Sequence, residues 1–301
     1  MATSGSLIAA ADYESIRTSL ANILYLGSGT RGYGTTPVAG TVSAGQTITA
    51  ADWVNLKTDI LTIAAHQGAL ANANITAVPS ITAGTVINAT DQNPFITAAS
   101  YLDTNRFNVG SGQYSEESLG IDQSRNTNWS ATVRHFFTLD FGSAAAARYF
   151  FNAGGKIKLF AGRSGGTGST QDNNWTSLLT DMGNVFFNWN GCTSDGTSPG
   201  SGNGIGFYNL TNVSQQVFTK VGSGSYSLND YTVAMYTDVA NNGSGGARYV
   251  YVQVFFNDDH TSVWGDTVTG TLTNSVRSLR PSGSYVNVVG PTATNSTLLS
   301  S

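Results

Sequence analysis

The stretch IAAADYESIRTSL (residues 8–20) recurs at residues 48–60 as ITAADWVNLKTDI. In each copy an aromatic residue is followed by aliphatic residues at helical spacing, so each copy is predicted to be a short amphipathic helix. Two such helices joined by a glycine-rich arm indicate a segment that docks on another protein. The predicted docking anchors are the aromatic and aliphatic side chains Tyr13, Ile16, Trp53, Leu56 and Ile60.

Local signals place the ends of both helices. The first is predicted over residues 10–26, because a glycine-rich run begins at Gly27. The second begins at Thr49, an N-cap candidate with Asp52 three residues later, and ends before Gly68. Both helices belong to a predicted docking domain, residues 1–90. That domain also contains an extended arm at 35–46 and a strand at 75–87 for addition to a neighbouring subunit.

The rest of the chain changes to a period of two residues, which is typical of half-buried strands. Residues 91–301 are therefore predicted to form an antiparallel β-sandwich or jelly-roll-like domain, and the whole fold to be mainly β. Nine or so strands are expected, with short helices predicted at 94–107 and 175–182. The strands are predicted at residues 135–141, 148–151, 156–160, 185–189, 204–210, 216–221, 231–239, 249–257, 268–272 and 285–289.

Composition excludes several classes of function. Charged residues make up only 11% of the chain and the net charge is −4, which argues against a nucleic-acid partner. A single cysteine, Cys192, excludes an internal disulfide framework. No secretory signal is expected at the N-terminus, and no apolar run is long enough to span a membrane. The protein is expected to be made and kept in a cytoplasm.

No motif predicts a catalytic site, a metal site or a cofactor. Asp258-Asp259-His260 has metal-ligand character, but consecutive residues in a turn rarely converge on one ion. Glycoside hydrolysis needs two opposed carboxylates, and no pair such as Glu116-Glu117 stands in a setting that marks it. The chain is therefore expected to be non-enzymatic, with a polysaccharide depolymerase as a weaker alternative.

Several tryptophans lie beside amide side chains, a combination suited to sugar contact, since a ring packs on C–H groups and amides bind hydroxyls. The alternative is that they are core aromatics of the sandwich, flanked by turn residues. Both interpretations stay open, and the first makes the protein a host-surface glycan adhesin. The candidate glycan contacts are Trp175, Trp189 and Trp264.

Motifs at both ends of the chain resemble virion structural proteins of tailed bacteriophages, notably the T4-like phages of cyanobacteria. The matching segments are GSGTRGYG (27–34), ITAADWVNLKTDI (48–60), HQG (66–68), ARYFFNAGGKI (147–157), FNDDHT (256–261) and GTLT (270–273). The resemblance implies a component of the neck, tail or fibre apparatus, located in the virion and assembled in the host cytoplasm. We expect the protein to form a homo-oligomer, such as a trimer, and to dock on other virion proteins through its N-terminal segment.

Overall fold

The structure is a computed structural model that describes residues 8–25, 27–84, 86–260 and 267–300, without the side chains of 89 and 296–300. It divides into two compact units. The first comprises the described residues of Met1–Ser115 with Arg148–Gly154 and Pro281–Val288, and the second comprises those of Glu116–Ala147, Gly155–Arg280 and Val289–Ser301. The predicted division into 1–90 and 91–301 stays a prediction.

The first unit is built from helices. Their bounds are α1 Ala10–Leu24, α2 Ala50–Gln67, α3 Ala73–Thr76 and α4 Ala89–Thr104. Both repeats are helical, as predicted, and the ends of α2 follow local chemistry. Thr49 and Asp52 form a capping box, and Gly68 ends the helix in the left-handed conformation with φ 71°. A β-carbon on Gly68 would lie 2.8 Å from the Cα of Gly110, so the turn has no room for a side chain.

The segment between α2 and α4 differs from the prediction. The strand predicted at 75–87 is wrong for its described residues, which form the end of α3 and a loop. The helix predicted at 94–107 is longer and begins earlier, because Asn88 caps its first turn and Asp91 completes a capping box. Pro94 lies inside this helix and does not start it. The alternation of apolar and polar residues predicts a strand at 75–87, but tertiary packing determines the conformation of such short segments.

The second unit carries two antiparallel sheets. Their strands are β1 Tyr114–Ser118, β2 Gln123–Arg125, β3 Thr132–Asp140, β4 Lys156–Ser164, β5 Val185–Phe187, β6 Cys192–Ser194, β7 Ser201–Gly202, β8 Gln215–Val221, β9 Asp230–Thr237, β10 Tyr249–Asn257, β11 Thr271–Pro281 and β12 Thr292–Ser300. The first sheet has the order β1-β11-β4-β5-β6, with β2 also paired to β11. The second sheet has the order β12-β3-β10-β9-β8-β7. Two further helices, α5 Ala144–Asn152 and α6 Thr170–Met182, lie between strands in the chain.

Three predicted strands are wrong. Residues 148–151 lie in α5, where Ala147, Phe150 and Phe151 are buried at helical spacing. Residues 204–210 contain a 3-10 turn at Phe207–Asn209, and 285–289 form only an isolated bridge. Residues 148–151 and 285–289 are rich in β-forming residues, but the burial pattern of α5 shows that tertiary contacts override this preference.

Over the part of the chain that the structure describes, the fold is therefore mixed rather than mainly β, with 29% helix and 28% strand. The sandwich-like antiparallel architecture of the body is confirmed, while jelly-roll connectivity stays a prediction. None of the described helices combines the length and the apolar character needed to cross a membrane.

Candidate functional site

The second sheet has two chemically different faces. In β3 buried residues alternate with partly exposed ones, as expected when one face packs on a core and the other meets solvent. The alternation also holds in β10 except at Gln253, which is buried although it lies on the outward side. The buried side of β10 consists of Val250, Val252, Val254 and Phe256. The opposite side is also rich in aromatic residues, although it is not covered completely. A contiguous, partly exposed aromatic surface indicates an interaction site, whereas single exposed apolar residues are common on any protein.

We call this outward surface the tyrosine face. Its rings are all partly exposed, and they belong to Phe136, Tyr236, Tyr249, Tyr251 and Phe255. The centroid of the Tyr251 ring lies 4.6 Å from that of Tyr236, with the two planes 24° apart. It lies 6.3 Å from the Tyr249 centroid and 6.1 Å from the Phe136 centroid, again with nearly parallel planes. Tyr251 is therefore the centre of a contiguous aromatic cluster.

Strand register places hydroxyl and amide groups directly beside the rings. Thr138 of β3 is the cross-strand partner of Tyr251 on one side, and Tyr236 is its partner on the other. Thr294 of β12 continues the same row beyond Thr138. In the next row, Gln253 lies between Phe136 and Ala234 and accepts a hydrogen bond from Ser214 at 2.9 Å.

Two charged groups of the tyrosine face are held by neighbouring side chains, and a third, Arg134, lies with its guanidinium 5.3 Å from the ring centroid of its cross-strand partner Phe255. Arg248 donates from Nε and Nη2 to the two carboxylate oxygens of Asp140, each at 2.7 Å, and its guanidinium lies 4.8 Å from the Tyr249 ring centroid. Asp230 accepts from Thr232 at 2.6 Å and from Asn257 at 3.0 Å. The surface therefore combines aromatic rings and neutral polar groups with the Arg248–Asp140 pair and with Arg134, for which no ion pair is found among the described residues.

Partial burial raises the pKa of Tyr251, and the nearby charge of Asp238 acts in the same direction. The phenol therefore stays protonated at neutral pH. Its hydroxyl group is available as a hydrogen-bond donor as well as an acceptor.

The tryptophans predicted to touch glycan do not form this surface. Trp175 is fully buried, and its ring packs edge-on against Trp129 with centroids 4.9 Å apart. Trp189 is partly buried, and Trp264 lies outside the described residues. The core-aromatic interpretation therefore fits Trp175, because a ring with no exposed area cannot pack on a sugar. The glycan role of Trp189 and Trp264 stays a prediction.

The sequence contains a signal for the tyrosine face. Tyr249-Val250-Tyr251-Val252 alternates a hydroxyl-bearing ring with an aliphatic side chain. Because Tyr prefers positions where its ring is partly buried and its hydroxyl meets water, the tyrosines are expected on the solvent side of the strand. The pairing of Tyr251 with Tyr236 has no signal of its own, because strand register is a property of the folded sheet.

The predicted docking anchors lie inside the first unit. Tyr13, Ile16, Trp53, Leu56 and Ile60 are all at most 3% exposed. The Trp53 ring packs edge-on against Tyr13 at 5.9 Å and against Phe95 of α4 at 5.0 Å between centroids. The structure thus brings the anchors together in a core within one chain. Docking through these five side chains stays a prediction, and it would require this core to open.

The outer surface of the first unit has a groove between α1 and α4. Its volume is about 580 Å³. Arg31 closes part of its wall by binding both carboxylate oxygens of Asp103. Gln92 lines the groove with only 1% of its surface exposed, and its Oε1 has no hydrogen-bond partner among the described residues. The remaining lining residues are mostly small or polar: Asp12, Ser15, Ile16, Ser19, Asn22, Ile96, Ala99 and Ser100.

The Asp258-Asp259-His260 segment has a structural role in the fold. Asp258 is buried and accepts hydrogen bonds from Gln171 Nε2 at 2.6 and 2.7 Å. Burial raises the pKa of this carboxyl, while the amide of Gln171 opposes the rise. The backbone amide of His260 donates to Asn229 at 3.0 Å. Within the described parts of the chain, no three His, Cys, Asp or Glu side chains are grouped to hold a metal ion.

No protein-family model, curated protein or solved structure matches this chain.

Proposed function

We propose that the protein is a non-enzymatic structural component of a tailed-bacteriophage virion, located in the neck, tail or fibre apparatus. The motif resemblance at both ends of the chain supports the virion setting. The observation that supports a contact role is the tyrosine face, in which four partly exposed rings form a cluster around Tyr251 and a fifth, Phe255, lies on the same side of the sheet. Aromatic clusters of this kind are enriched where proteins bind other molecules.

The sheet that carries the rings is well suited to a contact surface. Its three central strands are joined by continuous antiparallel pairing, and their opposite side is buried. A ring on such a strand loses little freedom on binding, because its backbone is already ordered. The surface is thus preformed.

We assign attachment to other virion proteins to the first unit, because it contains both helices of the sequence repeat. Because its repeated helices already bury their apolar stripes, the unit would attach as a folded body, with its outer surface in contact. The groove between α1 and α4 supports this, since small residues such as Ser19 and Ala99 let a partner approach closely. The partners are other virion proteins and further copies of the chain, in a homo-oligomer such as a trimer.

Incorporation into particles tests this proposal. A tryptophan at position 19 should fill the groove, so Ser19→Trp should lower the number of copies per particle at least severalfold. Thr58→Trp is the matched control, because Thr58 is exposed on α2 and donates to the carbonyl four residues earlier, as Ser19 does. Quantitative mass spectrometry of purified particles provides the count.

Two results would contradict the proposal. If the wild-type protein is absent from purified particles, the virion role is wrong. If Ser19→Trp and Thr58→Trp are incorporated equally and at the wild-type level, attachment does not use the groove. A thermal melt of each variant must first show that the first unit remains folded.

A further inference from the structure

The geometry points to a second copy of this chain as the partner of β12, paired with it edge to edge in antiparallel orientation. β12 is the outermost strand of the second sheet, and among the described strands it pairs only with β3. This inference rests on the proposed homo-oligomer and specifies the surface that joins its copies. Neither the helical repeat nor the rings of the tyrosine face take part in it.

Strand register shows which backbone groups of β3 point toward β12. Phe141, the residue directly after β3, donates its amide to the carbonyl of Arg248 at 3.2 Å, on the side of β10. Backbone groups of successive residues in a strand point to opposite sides. Asp140 and Thr138 therefore direct their amides and carbonyls toward β12, where their partners are Thr292 and Thr294.

The backbone groups of the intervening β12 residues point the other way. Ala293 and Asn295 alternate with Thr292 and Thr294, so their N–H and C=O groups lie along the outer edge of the sheet. Among the described residues, neither Ala293 nor Asn295 makes a backbone hydrogen bond on that side. A row of such groups is a template for pairing with another chain.

The other edges of the two sheets are short or charged. The second sheet ends on its far side at β7, which has two residues, and the first sheet ends at β6, which has three. At the opposite end of the first sheet, β2 has three residues and β1 carries Glu116 and Glu117. Short strands and charges are common protection for sheet edges. β12 has neither, since its nine residues, TATNSTLLS, include no charge and no proline.

These differences select a second β12 as the partner. If β12 of one copy paired with a different edge of the next, the contact would repeat from copy to copy in a ring or an open chain. The strands β6 and β7 are too short for that, and the carboxylates of β1 already pair with Lys158 and Arg280.

Pairing of β12 with β12 places a twofold axis between the copies. The same residues then contribute from both chains, and the contact closes at two copies because each chain has one such edge. An uncharged strand also brings no like charges together when it meets itself. This contact predicts a dimer, or an assembly built from dimers, and not a trimer with a threefold axis alone.

Sedimentation velocity of the full-length protein, from low to high micromolar concentration, tests the inference. The wild type should form a dimer that dissociates on dilution. Asn295→Lys should raise the dissociation constant about tenfold or more, because a lysine on the edge strand repels its own copy across the pair. Ser118→Lys is the matched control, because Ser118 is an exposed residue at an edge of the other sheet.

A second variant keeps the test decisive should Asn295→Lys unfold. Ala293→Pro removes one outward N–H and leaves the bonds from Thr292 and Thr294 to β3 in place. It should also weaken the dimer about tenfold, with a melting temperature close to that of the monomeric wild type.

Hydrogen exchange followed by NMR reads the geometry residue by residue. The amides of Ala293 and Asn295 should be protected in the dimer and lose this protection on dilution. The amide of Thr294 should change far less, because it points to β3 in both states. Equal changes at all three amides would contradict the assigned edge.

Three results would overturn the inference: a wild type that stays monomeric over the whole concentration range, a trimer, or equal dimerisation of Asn295→Lys and Ser118→Lys. If Tyr251→Ala separates the copies and Asn295→Lys does not, the copies meet through the tyrosine face and the strand assignment is wrong.

The outcomes separate this inference from the proposed function. If the protein is monomeric in solution but Ser19→Trp lowers its copy number in particles, the strand pairing fails and the virion role stands. If Asn295→Lys dissociates a wild-type dimer but the wild-type protein is absent from particles, the virion role fails and the strand pairing stands.

Discussion

Truncation of Trp53 distinguishes a core residue from a docking anchor. The side chain is 1% exposed and packs edge-on against Tyr13 and Phe95, so its removal leaves a cavity bordered by three helices. Replacing a buried tryptophan by alanine costs about 3–5 kcal/mol. That is a large part of the roughly 5–15 kcal/mol that stabilises a typical domain. We therefore expect Trp53→Ala to destabilise the first unit itself, before any partner is involved.

The measurement combines thermal unfolding, followed by circular dichroism at the helical band, with hydrogen exchange resolved by peptide. Melting of the helices should fall by on the order of 10 °C. Amides of α1, α2 and α4 should exchange faster, while strands β3, β9 and β10 should keep their protection. Val54→Ala is the matched control, because Val54 is the next residue on the same helix and is 48% exposed. Its effect should stay within about 0.5 kcal/mol.

One result would refute this reasoning. If Trp53→Ala unfolds at the wild-type temperature and with wild-type exchange, yet fails to assemble into particles, the residue contributes to docking and not to the core. The docking anchors predicted from the helical repeat would then be right, and the buried position of Trp53 would describe only the unassembled chain.

Two further predictions concern buried charge. Arg163 and Asp172 form an ion pair at 2.7 Å, and their side chains are only 3% and 0% exposed. Arg163→Ala should therefore lower the free energy of unfolding by about 3–5 kcal/mol. Arg248→Ala removes one partner of a more exposed ion pair and should change the melting temperature little. Equal effects of the two variants in thermal denaturation would contradict this. Burial lowers the pKa of both His66 and His135 from 6.5 to about 4. As the pH decreases from about 6.5 to about 4, these histidines therefore bind protons in the unfolded chain before they do so in the folded protein, and the free energy of unfolding should decrease. Urea titrations at the two pH values measure this decrease, and His135→Leu should make it smaller by about 3 kcal/mol. An unchanged pH dependence in the variant would show that His135 is not buried in its neutral form.

Much of the secondary structure follows from local chemistry. The repeated aromatic and aliphatic spacing, the Thr49–Asp52 capping box and the terminal Gly68 define α2 without reference to the rest of the chain. The period-two segments likewise predict β3, β9 and β10. Local reasoning fails at residues 148–151, where β-forming residues lie in a helix. It fails because burial of Phe150 and Phe151, and not intrinsic preference, selects the conformation.

The candidate site illustrates the same division. Sequence alone identifies β10 as an aromatic strand, since Tyr249, Tyr251 and Phe255 recur with the alternation of a pleated surface. Only the tertiary structure places Tyr236 and Thr138 on either side of Tyr251, because register depends on pairing between strands that are far apart in the chain.

The first unit shows what a sequence pattern leaves undecided. The apolar stripes of α1 and α2 are evident in the repeat, and a stripe of that kind must be buried against something. Whether the covering surface belongs to a partner or to the chain itself depends on a distant element. Here α4 provides Phe95 against Trp53, so the chain covers its own stripe. Amphipathic spacing therefore determines that a helix has a face to bury, and only the folded arrangement decides which surface buries it.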